Sequence, residues 1–239
     1  MATLPANRAL DPFGGGIPVA LLAIAVTFAG FYPSFFSNPA SLDSLHLVHG
    51  VSSYAWLLLV LVQASLIRVR KLTWHRTIGW SSLALFAVLV VTSWQMVGIM
   101  LSGASGMPFD LAKVLAFSDL ATLPLFVLLY AGALWLRRDR HVHSRLISAT
   151  VLVGMIPALG RMLAMIPALG GLSGALHPTY AAVLAVLAVA IAADWRAGRL
   201  RWPFPFAFAW FASTYALLFP VSASSWFDGI ASSIAGAGI

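Results

Sequence analysis

No cysteine occurs among the 239 residues, which excludes disulfides, thiolate metal sites, iron–sulfur clusters and cysteine nucleophiles. Glutamate is also missing, so seven aspartates carry all the acidic side-chain charge. Charged residues of both signs make up only 9% of the chain, against about 25% in soluble domains. A chain so poor in charge lacks the polar surface that water requires. No serine nucleophile elbow is present. The glycine triplet Gly14-Gly15-Gly16 leads into an apolar stretch rather than following a strand, so it reads as a flexible start to a helix, not a phosphate loop. The last apolar run has no lysine for a retinal Schiff base. It also lacks the paired histidines that seven-helix membrane hydrolases of the ceramidase type carry there.

What the chain has in abundance is apolar sequence: 61% hydrophobic residues and a mean hydropathy of +0.93. Apolar runs fall near 16–35, 45–67, 77–102, 113–136, 145–168, 178–194 and 204–222, and a membrane span needs about 20 such residues. The pattern predicts an all-α integral membrane protein, a seven-transmembrane-helix bundle forming one domain over 1–239. The sixth run is the shortest. Arg8 precedes the first run as in a signal peptide, but the run is long for one and residues 35–41 offer no small-residue cleavage site, so it reads as helix one.

Charge sets the orientation. Arg68, Arg70, Lys71 and Arg76 fall between runs two and three, Arg137, Arg138, Arg140 and Arg145 between four and five, and Arg196, Arg199 and Arg201 between six and seven. The opposite loops hold Asp43, Asp110, Lys113 and Asp228. The positive-inside rule places the amino terminus in the cytoplasm and the carboxyl terminus outside. The same distribution accounts for a pI near 10.6 without nucleic acid as a partner: the arginines anchor the turns near anionic headgroups. Basic turns followed by histidine recur at His75 and at His141 and His143, a hint of duplicated hairpins. The hexapeptide MIPALG also occurs twice, at Met155–Gly160 and Met165–Gly170. Pro157 is expected to bend helix five and Pro167 to help end it.

Polar residues placed by depth form a layer in the outer half. At 1.5 Å per residue, Asp119 lies about 9 Å from the outer start of helix four and Arg161 about 10 Å from the outer end of helix five. Gln95 lies about 10 Å inside helix three and His49 about 6 Å inside helix two. Charges at such depth cost about 2.5–3.5 kcal/mol on insertion scales at the helix centre, so they pair, face the bundle interior or line a wet cavity. One reading is a pocket in which Asp119, Arg161, His49 and Gln95 hold a cofactor, substrate or proton. The other is a structural Asp119–Arg161 ion pair, or an Arg161 that reaches out to the interface. His46 and His49 share a helical face, and with Asp119 they match the ligands of a divalent-metal site of two histidines and one carboxylate. Without a metal they are interfacial histidines bonded to water or headgroups.

At the inner border, His75 and His143 on helices three and five have the placement of histidines that clamp a haem b, with arginines nearby for its propionates. Their alternative role is to cap helix starts or contact lipid phosphates.

The segments 45–67 (LHLVHGVSSYAWLLLVLVQASLI), 74–80 (WHRTIGW) and 143–161 (HSRLISATVLVGMIPALGR) resemble a widespread family of bacterial multi-spanning membrane proteins of unassigned activity. The resemblance covers roughly residues 45–161 and implies weight for His46 or His49, His75, Gly79, His143, Arg145 and Arg161, and a bacterial inner membrane location. A more distant similarity to cytochrome b561-type haem proteins rests on the histidines at both borders. The leading expectation is therefore a membrane binding protein, or an accessory subunit or assembly factor of a larger membrane complex, with a polar pocket in its outer half. A haem-binding membrane oxidoreductase and a small-solute or proton transporter are the alternatives. No catalytic residue is marked out.

Overall fold

The computed structural model describes residues 16–236; Arg8 and Gly14-Gly15, read above as the approach to helix one, lie outside the described residues. Among those described there is no strand, and seven helical segments of 20 to 30 residues are long and apolar enough to cross a membrane. In chain order they are α1 (Ile17–Phe31, prolonged by a π-helical turn at Tyr32–Phe36), α2 (Ser44–Arg68), the pair α3 (Leu72–Gly79) and α4 (Ser81–Leu101), α5 (Phe109–Trp135), α6 (Arg140–Ala164), α7 (Leu172–Arg196) and α8 (Pro203–Ser222). A ninth helix, α9 (Ser225–Gly236), is too short to span.

The surface explains why this bundle belongs in lipid. Leu21, Leu22, Val51, Leu58, Val91, Leu128, Val189 and Leu217 all stand exposed on the flanks of the helices, an apolar coat that a soluble protein does not carry at this scale. Tryptophan gathers where headgroups would lie: Trp74, Trp80, Trp135, Trp195 and Trp202 are exposed around the end that holds the basic turns. This is a multi-spanning membrane protein. Because successive spans reverse direction, the turns α2–α3, α5–α6 and α7–α8 meet at one end, here the basic end; the other is the far end.

Helix α6 is the central post. Its span is 61% buried, where the others range from 22 to 39%, and α1, α5, α7 and α8 all pack on it. The α1–α6 approach is set by Gly30, where a Cβ would collide with the carbonyl oxygen of Ala158. The two backbones touch, and no side chain fits between them. Pro157 and Pro124 sit inside α6 and α5 without ending them, as neighbouring helices permit in a membrane.

Several boundaries depart from expectation. The third span begins at Leu72, not 77, and breaks between Gly79 and Ser81. Helix α6 ends at Ala164, four residues early, and the second MIPALG copy forms a 3₁₀ turn at Pro167–Leu169. In the second copy Ile166, ahead of Pro167, is extended at ψ of 111° and the helix has already ended, with Gly170 closing the turn at φ of 69°, whereas in the first copy the helix runs on through Pro157 and past Gly160. The sixth span is not short, since α7 starts at Leu172 and carries Pro178 inside it. Helix α9 is an addition to the expected spans. It packs Phe227 and Ala231 on Val97, Leu101 and Ala116, and Lys113 Nζ fastens it by donating to Asp228 Oδ1 at 2.6 Å.

Candidate functional site

In the far half, side chains from six helices form a polar layer. His49 on α2 meets Thr92 on α4 at 3.0 Å. The Thr92 hydroxyl donates to Val88 O at 2.8 Å, so the His49 Nδ1–H is the donor of the pair, an assignment made from the network. His49 Nε2 makes no hydrogen bond among the described residues. Gln95 stands one turn beyond Thr92, half-buried and on the same helical face. Phe35 of the π-turn lies against Gly50, where a Cβ would collide with its ring, and a cluster of Phe28, Tyr32, Phe35 and Phe36 packs there on α2 through Tyr54.

Arg161 is exposed, and its side chain turns back along α6 rather than on past the helix end. It lies in the last turn of α6, about 4.5 Å from the helix end, closer than expected because the helix stops early. Its side chain runs back inward, as helical side chains do: Nη1 donates to Pro157 O at 3.3 Å and the guanidinium lies 4.6 Å from the Phe31 ring centre. One of its five N–H donors is thereby used, and the rest bond no described residue. Asp119 is deeper than expected, ten residues or about 15 Å along α5. Because α5 has 27 residues, Asp119 still lies in the far half. Its carboxylate takes no hydrogen bond and forms no ion pair with any described residue, and it is only half-buried. Asp119 and Arg161 are near enough for each charge to act on the other, and Arg161 acts likewise on His49. The structural ion pair is therefore absent as a direct contact. The layer continues through Ser118 Oγ to Tyr180 OH at 2.7 Å, through Tyr180 stacked on Tyr215, and from Tyr215 OH to His177 Nδ1 at 2.6 Å.

The expected metal triad does not assemble. No three His, Asp or Glu side chains among the described residues stand close enough to hold a metal. His46 is committed to Asp43, the N-cap of α2: its backbone N–H and ring Nδ1 bond the two carboxylate oxygens at 2.9 and 2.5 Å. The backbone N–H of His46, then its ring, hold the Asp43 carboxyl below the usual carboxylate range. Asp119, two to three turns along another helix, is out of reach.

At the basic end, His75 and His143 do come together, with ring centres 6.5 Å apart and planes near perpendicular. His143 Nδ1–H donates to Ala133 O at 2.8 Å, a bond that leaves Nε2 as its remaining nitrogen. His75 is held by Gln63, whose amide, oriented to satisfy both neighbours, donates to His75 O and accepts from Gly79 N, each at 3.0 Å, and touches His75 Nδ1. Ser82 and Tyr130 bond beside them at 2.6 Å. Two imidazoles on opposite sides of one metal, each bonded at about 2 Å, put their ring centres about 6 Å apart, which the observed spacing fits. His141 belongs elsewhere, in a cleft with Arg140, Arg199 and Arg201.

Sequence reasoning missed the tightest pair in the molecule. Arg145, assigned to the basic turn and to the family resemblance, is buried and binds Asp194 of α7 through Nε and Nη2, both at 2.5 Å. Its Nη1 donates to His141 O at 3.0 Å. The available signal was an aspartate at the basic end of an otherwise apolar helix, at a depth matching Arg145. Lys113, read as a loop residue, is likewise buried between Asp228 and Asp110.

Comparison with protein-family models, with curated proteins and with solved structures finds no match to this chain.

Proposed function

We propose that the protein is a membrane-embedded binding protein whose ligand lies between Asp119, Arg161 and His49, with Gln95 and Tyr180 beside it. It works alone or as an accessory subunit of a larger complex in a bacterial inner membrane, its basic end in the cytoplasm and the pocket in the outer half. One observation carries the reading: the carboxylate of Asp119 lies inside the bundle without a partner among the described residues, near an Arg161 guanidinium that has most of its donors unused. Two opposite charges held in the membrane yet apart are costly unless something fills the gap. The complementary ligand is a small polar molecule with an anionic or carbonyl oxygen for Arg161 and a hydrogen-bond donor for Asp119. His49 Nε2 offers a further acceptor.

The test is mass spectrometry of small molecules released from protein purified gently from its native membrane. A compound present near one per chain in the wild type, and lost in both Asp119→Asn and Arg161→Gln variants of unchanged helicity, supports the reading. Equal retention in all three refutes it.

A second reading, a haem-binding oxidoreductase, is favoured by the His75–His143 spacing alone. Those two histidines would be the axial ligands, with Arg76 and Arg140 near enough in sequence to meet propionates.

A further inference from the structure

We propose that the cleft between the α5–α6 and α7–α8 turns is a binding site for the phosphate of an anionic membrane lipid. Four residues line it, Arg140, His141, Arg199 and Arg201, around a volume of about 340 Å³. Three permanent cations and an imidazole face one space, which is unfavourable until an anion enters and favourable once one does. Arginine's planar fork suits phosphate oxygens in pairs.

The walls of this cleft are built, unlike those of a loose patch of surface arginines. The buried Arg145–Asp194 pair locks α6 to α7 directly beneath it. Arg145 Nη1 also holds His141 O, and the backbone carbonyl of Asp194 accepts from Arg199 N at 2.8 Å. Gly198, at φ of 62°, turns the chain so that Arg199 projects from the helix end. One aspartate therefore fixes both walls. The acidic group beside the cleft is Asp139, whose Oδ1 accepts from His141 N and Val142 N at 2.9 and 3.1 Å, and three arginines outweigh its single charge. The charge left over is positive.

Location selects the source of the phosphate. The cleft sits at the helix ends, level with the exposed rings of Trp135, Trp195 and Trp202, which mark the headgroup zone. Basic pockets between helix ends in that zone take lipid phosphates. The neighbours of the cleft are rings of the kind that sit at the membrane border, which favours a lipid over a nucleic acid.

The experiment uses the full chain, delipidated in detergent, and counts retained lipid by native mass spectrometry during titration with phosphatidylglycerol or phosphatidylcholine. Phosphatidylglycerol is expected to bind at least about tenfold more tightly, as a built anion site among headgroups should. Arg199→Gln with Arg201→Gln should abolish that preference, and Arg199→Lys should weaken it in part. Arg68→Gln with Arg70→Gln, which removes equal charge from another basic turn, should leave it within about twofold. Equal loss in both double variants would mean bulk attraction and no site. Displacement of the lipid by millimolar inorganic phosphate or pyrophosphate, with equal affinity, would also overturn the proposal, by making the site one for soluble phosphate. Circular dichroism confirms that each variant is folded before it is scored.

Discussion

Arg145 and Asp194 meet through two parallel hydrogen bonds of 2.5 Å, with both side chains almost wholly buried between the start of α6 and the end of α7. A pair in this setting couples two helices strongly, because either charge left alone has nowhere to go. Asp194→Asn or Arg145→Gln alone is expected to cost about 3–5 kcal/mol, whereas an apolar pair of similar volume at both sites should restore most of the loss. Thermal unfolding of the two single variants and the double variant in detergent tests this. Additive losses in the double variant would show that the two groups do not act as a pair.

The backbone contact between α1 and α6 makes a second, steric prediction. Gly30→Ala places a methyl group against the Ala158 carbonyl, and overpacking of this kind costs about 1–3 kcal/mol. Gly154→Ala, on α6 where a Cβ meets nothing within 4 Å, should be neutral or slightly stabilising. A reversed order of the two unfolding temperatures would contradict the observed packing.

Acid should loosen the helix starts first. The Asp139 carboxyl is held below its usual range, chiefly by the Val142 backbone N–H, and Asp43 chiefly by the His46 backbone N–H. A carboxylate depressed in the folded state stabilises above its unfolded pKa, about 3.9, and that stabilisation disappears as pH falls through the folded value. Between about pH 5 and 3 the unfolding temperature of the wild type should fall more steeply than that of the Asp43→Asn, Asp139→Asn double variant. Parallel slopes would remove these caps from the acid response.

The histidine pair is tested by light. Haem b added to the detergent-solubilised chain is expected to give a Soret band that shifts on reduction, and to lose it in both His75→Ala and His143→Ala. A band that survives both substitutions places any haem elsewhere and leaves His75 and His143 as neighbours, each tied to its own partner, Gln63 and Ala133 O.

Much of the architecture was legible because hydropathy and the membrane's thickness fix each other. Span α2 lies within a residue or so of its expected limits for that reason. What escaped was short or depended on neighbours. Helix α9 has only 12 residues and mixes Ser and Gly with its apolar face, so nothing in its periodicity outweighs a loop until Phe227 finds Val97 and Leu101. The site was legible in membership more than in geometry. Asp119 and Arg161 lie about 15 and 4.5 Å from their far helix ends instead of about 9 and 10 Å, because Ile166-Pro167 and Pro108 set those ends differently. Asp194 passed unnoticed because one aspartate beside arginines looks like part of a solvated turn. Only the fold reveals that it faces inward.

The glycine at position 30 also orders events in time. Its carbonyl partner, Ala158, lies more than a hundred residues further along the chain, and ribosomes add about 5–20 residues per second. The first span must therefore cross the bilayer and wait on the order of ten seconds, with the face that meets Ala158 turned to lipid, before the helix it is shaped to touch exists. Its insertion has to rest on its own hydrophobicity, and its folding belongs to the later stage when spans already in place find one another.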